Sequence, residues 1–198
     1  MKTMKKTTKT PKIKTINKHI SLVLAVIMLL AVFAPLVSSF ADSADIVIKN
    51  EKDYLNLVKK CKTDTWSKGK TVTLANDIDL SKTDFSPIPT FGGHFDGKGY
   101  TISGIKINKK GSATGLFRYI QSGATVENLN VSGTVTPDGT QKNIGGIVGS
   151  LSGTLKNCTF SGNIKAKTNV GGIAGYVTET GVIDSCTFSG SVIATSNT

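Results

Sequence analysis

Four carboxylates crowd into one short stretch, Asp77, Asp79, Asp84 and Asp96. Polysaccharide lyases and hydrolases need two or more carboxyls, or carboxyls with calcium and a basic residue, converging on one groove. Asp77 and Asp79 flank Ile78, so on a strand they share one face. Their neighbours favour a structural reading. Asp96 precedes Gly97 in a turn and Asp77 follows Asn76 at a corner, positions where such side chains bond their own backbone. The acids further along, Glu127, Asp138, Glu179 and Asp184, are spread over separate segments. His94 reads as a turn residue between Gly93 and Phe95, and alone it cannot supply the paired histidines of a zinc peptidase. Gly145 to Gly149 and Gly171 to Gly175 lack the Lys-Ser/Thr that completes a phosphate cradle, so tight turns and close backbone packing account for them. No residue is assigned as catalytic, cofactor-binding or metal-ligating, and the protein is read as non-enzymatic.

Cys61, Cys158 and Cys186 are an odd number in a chain read below as exported, so they make no full disulfide framework. Cys158 and Cys186 fall at one repeat position. Stacked strands about 4.8 Å apart hold Cβ atoms further from one another than the ~3.8 Å a disulfide prefers, so two buried thiols in a ladder are expected.

The first 41 residues are read as a signal peptide. Lys2, Lys5, Lys6, Lys9, Lys12, Lys14 and Lys18 form a basic start without an acid, and Leu22 to Ala34 is an apolar run broken by Pro35. Ser39-Phe40-Ala41 places small residues where a signal peptidase reads, with cleavage after Ala41. An uncleaved anchor is the rival, since Ile20 to Phe40 nearly spans a bilayer. Seven of the 24 basic residues and none of the 13 acids lie in this segment, so most of the net +11 belongs to targeting. What remains is close to balanced, without the aromatic interleaving of a nucleic-acid surface. Neither nucleic acid nor, after cleavage, a membrane is expected as a partner.

These side chains must be positioned by a repeat. Leu155, Cys158, Phe160 and Ile164 have the same spacing as Ile183, Cys186, Phe188 and Val192, and as Val126, Leu129, Val131 and Val135. Ile102, Ile105 and Ile107 keep the first three places. Headed by Ile102, Val126, Leu155 and Ile183, the sets recur at 24, 29 and 28 residues, a solenoid period. Short Thr- and Val-rich segments broken by Ser-Gly pairs make each unit a coil of strands rather than helices. Residues 71–198 are therefore expected to form a parallel β-helix, an all-β solenoid with one shared core. Residues 42–70 form its N-terminal cap, with a helix over about 50–62. Asn50 is its N-cap, Glu51 and Asp53 its acidic start, and Lys59, Lys60 and Lys62 its basic end. Tyr54, Leu55, Val58 and Cys61 make its apolar stripe. The excess length around Pro137-Asp138-Gly139 is expected to loop out at one corner, a place to look for ligand binding. After Val192 the sequence carries no capping pattern, so a fragment or an end-to-end pair is expected.

Asn76-Asp77-Ile78-Asp79-Leu80, Pro87-Ile88, and Gly93, Phe95, Asp96, Gly97, Gly99, Thr101 and Ile102 resemble the opening of secreted bacterial GLUG-repeat proteins. Gly115-Leu116-Phe117, Gly146-Ile147-Val148-Gly149 and Gly172-Ile173-Ala174-Gly175 resemble the repeat itself, with Arg118 departing where the later units carry Gly149 and Gly175. The resemblance implies a right-handed β-helix on exported surface proteins, including the non-catalytic N-terminal part of immunoglobulin A-cleaving metallopeptidases. The expected role is a secreted or cell-surface module, adhesin-like or scaffolding, with a glycan or host surface protein as partner. The alternative is a carbohydrate-active enzyme, or the non-catalytic part of a larger surface peptidase.

Overall fold

The structure, a computed structural model, describes residues 45–109, 111–138 and 142–195. The proposed signal peptide and its cleavage site after Ala41 lie outside the described residues. The described chain is a parallel β-solenoid with one short helix, and its strands, numbered along the chain, stack into faces. The first face has the order β1 (Ile46–Ile48), β2 (Thr71–Leu74), β5 (His94–Asp96), β8 (Thr125–Glu127), β12 (Thr154–Lys156) and β16 (Val182–Asp184). The second stacks β3 (Ile78–Asp79), β6 (Thr101–Ile107), β9 (Asn130–Val135), β13 (Thr159–Ala166) and β17 (Thr187–Ala194). The third stacks β4 (Ile88–Phe91), β7 (Phe117–Ile120), β11 (Val148–Leu151) and β15 (Ala174–Val177), and β10 (Lys142–Gly145) pairs with β14 (Thr168–Gly171).

Every pairing is parallel, so each inward side chain rests on its counterpart one storey away. Phe95, Val126, Leu155 and Ile183 form one column. Ile78, Ile102, Val131, Phe160 and Phe188 form another. Ile88, Phe117, Val148 and Ala174 form a third. The columns merge in one buried cluster, within which the rings of Phe91, Phe95 and Phe117 meet at centroid distances of 5.6–6.0 Å.

The structure corrects one storey of the expected register. Ile102 lies over Val131, not Val126, and the residue beneath Val126 is Phe95. The chain from Phe95 to Ile102 is two residues longer than from Val126 to Val131, and the turn through Gly97 and Gly99 takes up the difference. One further residue is absorbed between Ile102 and Ile105, where the pairing shifts and Gly104 adopts φ 72°. That irregularity gives Ile102, Ile105 and Ile107 the spacing of Val126, Leu129 and Val131 without their register.

The helix, α1 (Glu51–Lys60), is two residues shorter at its C-terminal end than its basic residues imply. The Asn50 carboxamide oxygen accepts the Asp53 N–H at 3.1 Å, satisfying a donor the first turn leaves open, and the Asp53 carboxylate in return accepts the N–H of Lys49, just before the cap, at 3.0 Å. Its buried residues are Tyr54, Leu57 and Val58, joined by Cys61 just beyond, so Leu57 takes the central place expected of Leu55. The Tyr54 hydroxyl donates to the Ser86 carbonyl at 2.9 Å, tying the helix to the approach to β4.

Candidate functional site

The four crowded acids do not converge; each has a separate partner, local for Asp79 and Asp96 and more than twenty residues on for Asp77, which was expected to bond its own turn, and for Asp84. Asp77 accepts the Thr101 N–H at 2.8 Å, joining one storey to the next. Asp79 accepts the Ser81 N–H at 2.8 Å, and that bond, with the Ser81 hydroxyl, holds its carboxyl below the usual range. Asp84 pairs with Lys109 at 2.8 Å, both side chains being exposed. Asp96 is buried at the turn, where it takes the Lys98 N–H at 2.9 Å, the Lys98 ammonium at 2.8 Å and the Asn128 amide at 3.1 Å. Among the described residues no group of three or more His, Cys, Asp or Glu side chains comes together to hold a metal ion.

For Asp96, burial pushes the pKa up, but the bonds from Lys98 and Asn128 outweigh it and hold the carboxyl below its ordinary value. A depressed folded-state pKa stabilises the fold above the unfolded value, about 3.9, and that contribution is lost as pH falls through the folded-state pKa. Asp96→Asn is therefore expected to lower the melting temperature at pH 7 and to narrow its gap from wild type as thermal melts are repeated from pH 5 down to pH 2.5. A gap that stays constant over that range would remove the charge from this account.

His94 is a strand residue in β5 rather than a turn residue, and its Nε2 meets Glu127 Oε1 at 2.8 Å on the outer side of the first face. It was misread because flanking glycines imitate a turn. Gly93 is there because a Cβ would lie 2.3 Å from the Ser67 carbonyl. The glycine segments are packing sites as expected: a Cβ on Gly146 would lie 2.3 Å from the Phe160 ring, and one on Gly172 would lie 2.4 Å from that of Phe188.

The three cysteines are free. Cys158 and Cys186 occupy successive storeys, directly before paired Thr159 and Thr187, but only Cys158 is buried, Cys186 being partly exposed in the last described storey. Each donates its S–H to a carbonyl two residues back, Lys156 at 3.2 Å and Asp184 at 3.4 Å. Burial pushes the Cys61 and Cys158 thiols up to about 12, which leaves them protonated and unreactive at neutral pH.

A ladder that the sequence reading missed runs beside them. Asn128 and Asn157, with Ser185 above, take the left-handed conformation at φ 50–53°, and Asn157 donates to the Asn128 side chain at 3.3 Å. Asn143 and Asn169 repeat the device at another corner, at 2.8 Å. Asparagine tolerates this conformation better than most side-chain-bearing residues, so an Asn just before Leu129 and again before Cys158 was the available signal.

Of the hollows on the outer surface, two are bordered by lysine side chains at places where the units of the coil differ. One, of 360 Å³, lies at the expected corner and is lined by Thr136, Pro137, Asp138, Lys165, Lys167 and Thr195 among others. The second, of 420 Å³, was not anticipated; it lies where Arg118 departs from the repeat and is bordered by Lys62, Lys106, Lys109 and Arg118. Among the described residues no helix is long and apolar enough to cross a membrane.

A model of the GLUG motif matches residues 140–165 and 167–193, the two units that keep both glycines. Halomucin of Haloquadratum walsbyi is 30% identical over 148 residues, an alignment that takes in 67% of this chain and 2% of halomucin. No solved structure matches the chain significantly.

Proposed function

Because this chain is a GLUG-repeat protein, we propose that it is an exported, non-enzymatic β-solenoid module of a surface or secreted protein. In this reading it acts as an adhesin-like or scaffold element and holds a glycan or a host surface protein on its outer faces and corners. The basic, apolar start of the sequence supports export, and the likeness to halomucin supports a place outside the cell. The observation that carries the non-enzymatic reading is the separate use of Asp77, Asp79, Asp84 and Asp96, each bonded to a different partner. A lyase or hydrolase needs such groups aimed at one bond.

The same module has exposed strand edges at β14 to β17, and Val182, Ile183, Val192 and Ile193 are exposed there. The counterparts of Ile183 and Val192 in the storey beneath, Leu155 and Ile164, are buried, so this edge is the proposed surface for end-to-end self-association, which concentration-dependent sedimentation would reveal.

The test is an incubation of the full chain with acidic and neutral polysaccharides, following reducing and unsaturated ends, beside the triple variant D77N/D79N/D96N. No product is expected from either protein. Product from the wild type that disappears in the triple variant would replace this reading with that of a carbohydrate-active enzyme.

A further inference from the structure

Gly149 and Gly175 mark places where one storey presses on the next. A Cβ on Gly149 would lie 2.2 Å from the Thr114 nitrogen, and one on Gly175 would lie 2.2 Å from the Asn143 carbonyl carbon. Arg118 holds the same register position one storey earlier, since Phe117 pairs with Val148 and Val148 with Ala174. A long side chain fits there because, among the described residues, the storey before has no strand at the matching place, between β3 and β4. The segment of the Arg118 storey that matches β10 is hydrogen-bonded to β10, Ala113 N–H to the Lys142 carbonyl and Thr114 N–H to the Asn143 carbonyl, both at 3.0 Å, but among the described strands none pairs with it from the storey before. The result is the 420 Å³ cleft between the approach to β4 and the chain leaving β6, a volume in the range of small-molecule sites.

The chemistry of the cleft is one-sided. Lys62, Lys106, Lys109 and Arg118 contribute to its lining and no carboxylate does. Asp84, nearby, is paired with Lys109, and among the described residues Lys62, Lys106 and Arg118 make no ion pair. Arg118 is held in place by two of its donors, Nη2 to the Ser112 carbonyl at 2.9 Å and Nε to the Ala113 carbonyl at 3.3 Å. That leaves part of a planar, permanently charged fork, the group best suited to bidentate recognition of an oxyanion. Pro87 and Pro89 add half-buried apolar surface beside the charges. The one aromatic ring in the lining, Phe85, is buried, so there is no platform on which a nucleic-acid base would stack.

We propose that this cleft binds the anionic groups of an acidic polysaccharide, sulfate or uronate carboxylate, with Lys62, Lys106 and Arg118 as the recognising cations and the prolines against the sugar. The proposal rests on the reading of the chain as a non-enzymatic binding module and names its ligand class.

Calorimetric titration of the full chain with heparin, alginate, neutral dextran and inorganic sulfate tests it. The variant K62Q/K106Q is compared with K165Q/K167Q, which removes two exposed lysines at the other hollow. The basic start of the chain is common to both, so any non-specific attraction changes equally. Heparin or alginate affinity is expected to fall tenfold or more in the cleft pair and less than twofold in the control pair, with dextran not binding. R118K keeps the charge but loses the fork, and a loss of about threefold is expected. Equal losses in the two pairs, no binding of either acidic polymer, or polymers binding no tighter than free sulfate would each overturn the assignment. Release of new chain ends from the bound polymer would instead overturn the non-enzymatic reading while leaving the ligand class standing, so the two failures are told apart.

Discussion

Gly162→Ala is expected to destabilise the protein by about 3 kcal/mol or more. Gly133, Gly162 and Gly190 stand one above another in β9, β13 and β17. A Cβ on Gly162 would lie 1.9 Å from the Gly133 carbonyl oxygen, and Gly190 has the same relation to Gly162. The obstruction is backbone, so no rotamer change relieves it, and its φ of 151° lies in a region that side-chain-bearing residues avoid. Gly123→Ala separates the two effects. Its φ is 80° and nothing lies within 4 Å of the added methyl, so about 1–2 kcal/mol is expected from conformation alone. Urea unfolding midpoints of both variants give the comparison. A Gly162→Ala protein no less stable than Gly123→Ala would show that the storeys can move apart and that the glycine column does not set their spacing.

That column explains why the coil was legible in the sequence at all. A parallel stack demands the same residue type at the same place in each storey, so Ser161-Gly162 and Ser189-Gly190, or Phe160 and Phe188, are repeated because they touch. The helix was legible for a different and local reason, since Asn50 and Asp53 satisfy one another's neighbourhood within a single turn. Where storeys differ in length the signal fails. The spacing of Ile102, Ile105 and Ile107 imitates one part of the coil while Gly104 bends it into another, and only the pairing of Phe95 with Val126 reveals the shift.

The outer surface was less legible because it answers to fewer constraints. Asp96 was readable as a local ligand of the backbone, since it bonds the Lys98 N–H two residues ahead, whereas Asp77, expected to do the same, accepts from Thr101 in the next storey. The cleft was not, since Lys62 and Arg118 come together only through the stacking of storeys that each look ordinary alone. Its sequence trace was a single substitution, Arg118 in a glycine place, which reads as a blemish in a repeat until the gap beneath it is seen. His94 shows the converse: its glycine neighbours read as a turn, although Gly93 is required by the nearby Ser67 and Lys70 carbonyls.

Phe160→Ala is expected to cost about 3–5 kcal/mol, and Phe188→Ala only about 1–2 kcal/mol, although the two rings are the same residue at the same place in adjoining storeys. Phe160 is 1% exposed, lies between Val131 and Phe188 in its column, and has Gly146 close to its ring face. Truncating it leaves a cavity that the fixed 28- to 29-residue storeys on either side are poorly able to close. The Phe188 ring stacks on Phe160 at 6.2 Å and 5°, has Gly172 beside it and is only half-buried, so its removal exposes surface rather than opening an enclosed void. The difference between the two costs therefore measures what a covering storey contributes to the one beneath it. Urea midpoints of the two variants, at protein concentrations spanning two decades, provide the measurement. If the two substitutions cost the same at the lowest concentration, Phe188 is already covered in solution, and the exposed edge of β15 to β17 has a partner that the isolated chain does not show.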